Sequence, residues 1–374
     1  MFMKGALILG CILFFYTLFS LIRPLPLRWW WKLLMSLPLG IISFKYPLLY
    51  AIWGGHFFRP AAPAWVELGS NWLFMSLLML VPLLLLLDMG RFPVWLCLRK
   101  SLPRWQKLNN RLNLVLLCGV LLLSAYGMYN AFALPEIKEI TIHLPHLSTP
   151  VKLAMLTDLH ADRHKPAAFF QQIVNRTNSL QADAVVITGD FEDGSLEELA
   201  PALAPLGNLR SRWGTYAVHG NHDYFNAHQA WEQYLSQLGI RFLNNEHVLP
   251  GNGVLVLAGV TDPASRNIYP APNVARAVHQ APSGKPIVLL AHQPRLATEA
   301  ARHGVGLQLS GHTHGGHAPG IRQIIACFNE GMAMGLNEYQ GTKVYISNGT
   351  SLWSGFPLRI LTPAEITLIH LVPS

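Results

Sequence analysis

Charge is scarce in this sequence. Only 13% of its 374 residues are Asp, Glu, Lys or Arg, whereas 51% are hydrophobic. Ordinary soluble domains carry about a quarter of their residues charged, so this chain is not one of them throughout. Acids are nearly absent from the first third: residues 1–134 hold 12 Lys/Arg but only Glu67 and Asp88. Residues 135–374 hold 16 basic and 18 acidic residues. The formal net charge of +8 therefore belongs to the first third, and the remainder is slightly acidic. A nucleic-acid binder carries its basic patch on the folded domain, which excludes nucleic acid as a partner here. Cysteine is equally sparse. Cys11 and Cys118 lie in apolar runs, Cys97 in a basic stretch and Cys327 in the polar part. None has the spacing of a disulfide framework or a thiolate metal site, so any metal must be held by oxygen and nitrogen.

What the first third contains is four apolar runs, at about residues 5–22, 33–53, 71–87 and 112–131. Each approaches the ~20 residues that cross a bilayer as helix. The first is followed by three more and by no small-residue cleavage site, which argues against a signal peptide. Lys45 interrupts the second. Trp29, Trp30, Trp31, Trp53, Trp65 and Trp72 sit near run ends, where amphipathic rings favour the membrane interface. Basic residues gather in two loops. Arg23, Arg28 and Lys32 separate runs one and two; Arg91, Arg99, Lys100, Arg104, Lys107 and Arg111 separate runs three and four. Between runs two and three there is only Arg59. With four spans the two basic loops share one side, and the positive-inside rule makes that side cytoplasmic. Everything after residue 134 then faces outward, on the periplasmic side of an inner (plasma) membrane; loss of the second span would reverse this. Lys45 and Asp88 are the only ionisable groups in or at the edge of the runs. An intramembrane transport pathway carries more, so residues 1–134 read as a multi-pass anchor.

Residues 135–150 read as a linker and a first edge strand. From residue 151 to 374 the pattern becomes apolar run, polar loop, helix. Strands are expected at 151–157, 184–188, 214–218, 254–260, 286–290 and 305–309, helices at 166–179, 195–206 and 227–238, and closing β structure at 343–347, 358–361 and 365–371. Early alternation and a strand-rich tail predict an α/β (α+β) domain of stacked sheets flanked by helices.

Metal-competent groups follow five of these strands. Asp158-Leu159-His160 follows the first, Gly189-Asp190 and then Asp193 the second, and Gly220-Asn221-His222-Asp223 the third. His292 follows the 286–290 run, and Gly311-His312-Thr313-His314-Gly315-Gly316 the 305–309 run. Open α/β sheets place their sites at such strand ends. Singly, each block has an ordinary reading as a turn, a helix entry or a core histidine. The five together in this order do not.

The blocks Asp158-x-His160, Gly189-Asp190-x-x-Asp193, Gly220-Asn221-His222-Asp223, His292 and Gly311-His312-x-His314 resemble the calcineurin-like metallophosphoesterase superfamily over about residues 140–371. The tail is similar to its bacterial membrane-associated branch, in Gly315-Gly316, Tyr345-Ile346-Ser347-Asn348-Gly349, Pro357-x-Arg359 and Pro363-x-Glu365. Two departures are His317, where that branch usually has Gln, and Thr157, where Ser is commoner.

The resemblance implies a four-layer αββα sandwich with two divalent metal ions between the loops of its sheets. Asp158, His160, Asp190 and His314 would hold one ion, and Asp190, Asn221, His292 and His312 the other. Asp190 would bridge them. Carboxylate, amide and imidazole ligands suit Mn, Fe or Zn without choosing among them. His222 is left to act on the phosphoryl group or leaving oxygen, with Asp223 expected to orient it. Asp193 reads equally as a support for a ligand or as a helix cap. Arg359 reads as a phosphate contact or a structural salt bridge. His164, His219, His303 and His317 read as solvated or structural. The reaction expected is hydrolysis of a phosphate ester by metal-activated water, of the phosphodiesterase or pyrophosphatase type. A membrane-anchored site suits a lipid-linked or envelope phosphate. The alternative is a catalytically silent metal or phosphate sensor on the same fold. No feature of the sequence points to an oligomeric state.

Overall fold

The structure is a computed structural model that describes residues 2–98, 102–265 and 269–374; Arg99 and Lys100 of the second basic loop lie outside it. The chain forms two compact units. One comprises the residues through Tyr129 together with Gly355–Leu358, the other Asn130–Ser354 and Arg359–Ser374.

The first unit is helical: α1 (Phe2–Thr17, continued as a π-turn over Leu18–Ile22), α2 (Trp29–Ser43), α3 (Lys45–Trp53), α4 (Ala64–Leu98) and α5 (Leu102–Ala131). Met3–Ile22, Ala64–Leu96 and Pro103–Ala131 are long and apolar enough to cross a membrane. The second expected run is instead a pair, α2 and α3, bent by 73° at a break beside Lys45. A lysine at membrane depth needs a partner, and the break supplies it: Lys45 is buried and its Nζ donates to Asn71 Oδ1 on α4. The helices also run further than the apolar runs, so the inventory of ionisable groups is larger than the sequence suggested. Glu67 and Arg91 are buried within α4 as well. Arg91 donates to Asp88 Oδ1 at 2.9 Å and to Asn113 Oδ1 of α5 at 2.5 Å, and Tyr16 of α1 donates to Asp88 Oδ2 at 2.9 Å. These bonds link three helices, and Arg91 and Asp88 pair with each other.

The second unit contains two six-stranded sheets. Its strands are β1 (Glu136–Leu144), β2 (Val151–Leu156), β3 (Ala184–Ile187), β4 (Thr215–Ala217), β5 (Ile240–Phe242), β6 (Glu246–Val248), β7 (Val256–Gly259), β8 (Ile287–Leu290), β9 (Leu307–Ser310), β10 (Gly335–Tyr339), β11 (Thr342–Ile346) and β12 (Glu365–Pro373). One sheet has the order β1-β12-β2-β3-β4-β5, the other β10-β11-β9-β8-β7-β6. Within the first sheet β2 to β5 are parallel, and within the second β7, β8, β9 and β11 are.

Strand side chains alternate between faces, and the packing follows that period. Leu153 and Met155 of β2 join Val186, Leu257, Leu290 and Leu309 in the core between the sheets. Ala154 and Leu156, one residue out of phase, pack with Phe170 and Ile173 of α6 (Ala167–Ser179), Leu199 of α7 (Leu196–Leu203) and Trp231 of α8 (His228–Gln237). On the far face of the other sheet Ala258 and Leu289 meet Ala300 of α9 (Ala297–Arg302). The result is helices, sheet, sheet, helices.

One expected strand is absent. Residues 358–361 wrap around the fully buried Arg359 instead of pairing. Its guanidinium donates to the carbonyls of Asn348 (2.8 Å), Thr362 (3.1 Å), Gly349 (3.4 Å) and Ser351 (2.5 Å). Arg359 is therefore a clamp on this loop and reaches no surface where a phosphate could meet it.

Candidate metal centre

Parallel strands end at a common edge, so the loops after β2, β3 and β4 leave one sheet together, as do those after β8 and β9. Sharp backbone turns then carry the side chains inward. Asp158, His160, Asp190, His312 and His314 all have positive φ, between 42° and 69°. Residues other than glycine rarely adopt that region, and it costs on the order of 1–3 kcal/mol each. Five such residues at one edge mark a site whose geometry is imposed by the surrounding fold. The glycines beside them are there for space. A Cβ on Gly220 would strike the Asp190 carboxylate, and one on Gly311 would strike Thr157 and Asp158.

Two donor clusters result. In the first, His160 Nε2 lies 3.3 Å from His314 Nε2, 3.5 Å from Asp190 Oδ2 and 3.9 Å from Asp158 Oδ1; His314 Nε2 is 3.7 Å from the same Asp158 oxygen. In the second, His292 Nε2 is 3.2 Å from Asp190 Oδ2 and 3.2 Å from Asn221 Oδ1. Asp190 Oδ2 faces both. The His312 ring stands 5.1 Å from that of His292, and its own backbone N–H donates to Asp158 Oδ1 at 3.1 Å. All seven residues expected as ligands are thus brought to one edge.

The donor set fits divalent cations. His314 Nε2 and one oxygen each of Asp158 and Asp190 lie within 4 Å of His160 Nε2, all buried, and among the described residues no lysine or arginine is paired with these carboxylates. Like-charged carboxylates so placed are unfavourable unless a cation neutralises them. His314 Nδ1 is buried with no hydrogen-bond partner among the described residues. Burial, reinforced by His160, holds His314 well below the usual imidazole range, and burial with His292 pushes His312 down to about 3. A ligating imidazole must be neutral; burial favours that form at His312 and His314, whereas at His292, against burial, Asp190 and Asp158 draw the imidazole the other way, to about 10.

Of the groups behind the proposed ligands, Asp193 reads from the sequence as a support or a helix cap, and the structure shows the support; the Thr188 carbonyl leaves no signal in the sequence. Asp193 Oδ2 accepts from His160 Nδ1 at 3.1 Å, and the Thr188 carbonyl accepts from His292 Nδ1 at 2.7 Å. Such acceptors fix the tautomer and aim the other nitrogen. Asp190 Oδ1 accepts the His222 backbone N–H at 2.8 Å, which leaves Oδ2 for the centre. Lys165, another residue the sequence reading missed, is buried and donates to His160 O, Asp162 Oδ2 and Leu352 O at 2.8–2.9 Å. It ties two loops of the site together.

His222 sits at the rim, partly exposed, its ring 4.7 Å from His160 and 5.3 Å from Trp353. Its orienting carboxylate is Asp193 and not Asp223: Asp193 Oδ1 is 2.6 Å from His222 Nδ1. Burial opposes the charge on His222, but Asp190 and Asp193 outweigh it and hold the imidazolium up at about 9. Asp223 is turned the other way by the 3-10 turn His222–Tyr224. It is buried and accepts the backbone N–H groups of Phe191 (2.7 Å), Gly220 (2.7 Å) and Asp190 (2.9 Å). Of the histidines set aside as structural, His219 stacks on Phe242 at 4.4 Å and meets Glu232 at 3.0 Å. His317 lies beside His314, ring to ring at 5.3 Å.

Residues 151–316, from β2 to the double glycine, match the family model for calcineurin-like phosphoesterase. An uncharacterized metallophosphoesterase of Helicobacter pylori J99 is 36% identical over 250 residues, which cover 66% of this chain and 66% of that protein. One from Campylobacter jejuni is 30% identical over 271 residues, 70% of this chain and 71% of its own length. A zebrafish transmembrane protein with metallophosphoesterase domain is 34% identical over 263 residues, 67% of this chain and 60% of that protein. The matches thus take in about two thirds of the length of these relatives. The chain belongs to the calcineurin-like phosphoesterase family, and its metallophosphoesterase relatives support a metal-dependent phosphoric ester hydrolase.

Proposed function

We propose that this protein is a membrane-anchored phosphoesterase with a two-ion centre. The observation that carries this reading is the sharing of one carboxylate oxygen, Asp190 Oδ2, by two donor clusters beside the His222–Asp193 pair. Asp158, His160, Asp190 and His314 would hold one ion, and Asp190, Asn221, His292 and His312 the other. Mn, Fe and Zn all accept such ligands. Bound divalent ions supply a water nucleophile at neutral pH and offset charge on the phosphoryl oxygens.

The chain's own residues do the rest. His222, charged at neutral pH, is placed to stabilise charge on the phosphoryl group or to give its proton to the leaving oxygen. Asp193 holds the Nδ1 proton of His222 and, through its other oxygen, the Nδ1 of His160. One carboxylate thereby sets the angle of a ligand and of the proton donor together. The phosphodiesterase or pyrophosphatase type is the reaction proposed, and a lipid-linked or envelope phosphate is the substrate that an anchored site suits.

Because α2 and α3 form a bent pair, the side of the membrane rests on the charge at the start of α5 and not on a count of four spans. Arg104, Lys107 and Arg111 lie at the start of α5, and the positive-inside rule puts that end in the cytoplasm. Its other end, and the catalytic unit, are then extracytoplasmic. A reporter fused after Pro135 should be active only outside the cytoplasm; cytoplasmic activity would overturn the orientation. The enzymatic reading is tested by restoring Mn, Fe or Zn in turn to the detergent-purified full chain and assaying aryl phosphodiesters and monoesters. Turnover that disappears in Asp190→Asn and His222→Ala supports it. Metal-loaded protein with no turnover would leave the sensor reading.

A further inference from the structure

Two aromatic rings stand against the His222 imidazole. The Phe225 ring is 5.0 Å from it, centre to centre and tilted by 53°, and the Trp353 ring is 5.3 Å from it, edge to face at 68°. Both touch the same imidazole, so the three rings form one place. Neither aromatic ring is buried in the core: Phe225 is 60% exposed and Trp353 half-buried. Both are fixed by bonds to the site itself. Phe225 N–H donates to His222 O at 2.9 Å, closing the 3-10 turn His222–Tyr224. Trp353 follows Ser351, whose N–H donates to the Asp158 carbonyl at 3.1 Å, and Leu352, whose carbonyl accepts from Lys165 at 2.9 Å. The same lysine donates to His160 O at 2.8 Å. Trp353 is thus carried on a loop bonded to the backbone of Asp158 and, through Lys165, of His160.

The place of the rings indicates what they meet. Asp193 occupies Nδ1 of His222 at 2.6 Å, so Nε2 is the nitrogen left to give a proton. In hydrolysis the oxygen of water forms a new bond to phosphorus, the bond from phosphorus to the leaving oxygen breaks, and that oxygen takes the Nε2 proton. The proton released by the water restores the imidazolium. The group attached to the leaving oxygen therefore lies beside His222, among the side chains that touch that ring. Phenyl and indole faces favour hydrocarbon and flat rings. A leaving phosphate would need cationic or N–H donors instead.

We propose that Phe225 and Trp353 form a leaving-group subsite, and that the substrate is a phosphate ester whose leaving alcohol carries an apolar group next to the scissile bond. The inference rests on the phosphoesterase reading and narrows it, from a diester or a pyrophosphate to the ester of an apolar alcohol. A single exposed phenylalanine is ordinary. Two aromatic rings on one imidazole, beside convergent polar groups, have the composition of a small-molecule site.

The test is binding of hydrolysis-resistant phosphonates to the full chain, purified in detergent and restored with Mn. Benzylphosphonate and hexylphosphonate carry an apolar group where the leaving alcohol would be, and methylphosphonate is the small reference. Titration calorimetry gives the three Kd values. Wild type should bind the benzyl or the hexyl compound roughly 10-fold tighter than the methyl compound, the size of one stacking contact. That preference should fall several-fold in Phe225→Ala and in Trp353→Ala. The tighter of the two apolar compounds tells an aromatic alcohol from an aliphatic one. Phe225 is exposed, so its variant keeps the fold even where Trp353→Ala does not. Equal binding of all three compounds by wild type, or a preference unchanged in Phe225→Ala and Trp353→Ala, would overturn the subsite. Turnover of an aryl phosphodiester is followed on the same samples. Turnover without the preference overturns the subsite alone; the preference without turnover overturns the hydrolase reading and leaves the subsite standing.

Discussion

Asp193 Oδ1 stands 2.6 Å from His222 Nδ1. The other oxygen of the same carboxylate reaches His160, a proposed ligand. Burial works against this carboxylate, but His160 and His222 hold it far below the usual range, so it stays ionised. Asp193→Asn keeps the shape and loses the charge. We expect kcat on an aryl phosphodiester to fall about 10²-fold or more, in the range of a lost proton donor. The double variant with His222→Ala should lose less than the two single losses multiplied, because part of the effect of Asp193 runs through His222 and the rest through His160. Additive losses would mean that Asp193 acts chiefly elsewhere.

Asp223→Ala should behave differently. Three buried backbone N–H groups would lose their acceptor. At about 1–3 kcal/mol for each unsatisfied group, the catalytic unit should be destabilised by about 3 kcal/mol or more. That corresponds to a Tm lower by roughly 6–12 °C for a domain of this size. Thermal unfolding of the detergent-solubilised chain measures it. An unchanged Tm with selectively lost kcat would restore Asp223 to the role of orienting His222.

Arg359→Met tests the clamp. Burial lowers the guanidinium to about 10, still charged at neutral pH, and it serves four carbonyls. Hydrogen bonds to a charged group contribute about 1.5–3 kcal/mol. The variant should therefore unfold at clearly lower temperature, with KM of the remaining folded enzyme little changed. A large rise in KM at unchanged Tm would make Arg359 a phosphate contact after all.

Glu232 gives a pH dependence away from the metal centre. Burial raises its pKa, but bonds from His219, Tyr269 and Asn244 outweigh that and leave it below the usual range. A depressed carboxylate stabilises above its unfolded pKa, about 4.3, and loses that contribution as pH falls through the folded value. Glu232→Gln should flatten the stability curve below about pH 4.3. Wild-type and variant curves that fall in parallel there would contradict the assignment.

Much of the candidate site was legible because the residues proposed as ligands sit in sequence blocks, each directly after an apolar strand. Parallel strands of a sheet end at one edge, so the loops after β2, β3 and β4 of one sheet gather, as do those after β8 and β9 of the other. What the sequence could not supply was the direction of side chains within a turn. Asp223 adjoins His222 in the chain, yet the 3-10 turn sends it to the backbone of the neighbouring loops, while Asp193, 29 residues away, reaches the imidazole. The closing strand at 358–361 failed for a similar reason. Its apolar pattern suggested pairing, but the buried guanidinium within it gathers carbonyls from both sides. The bend at Lys45 was foreshadowed by the charge alone.

The central claim is a two-ion centre in which Asp190 serves both ions and His312 and His314 serve one each. Metal content per chain, measured by mass spectrometry on full-length protein purified with Mn, tests it directly. The account predicts two ions in wild type, one in His312→Ala, one in His314→Ala and fewer than one in Asp190→Asn, with the fold of each variant intact by circular dichroism. A single ion in wild type, or loss of both ions from either histidine variant, would contradict it.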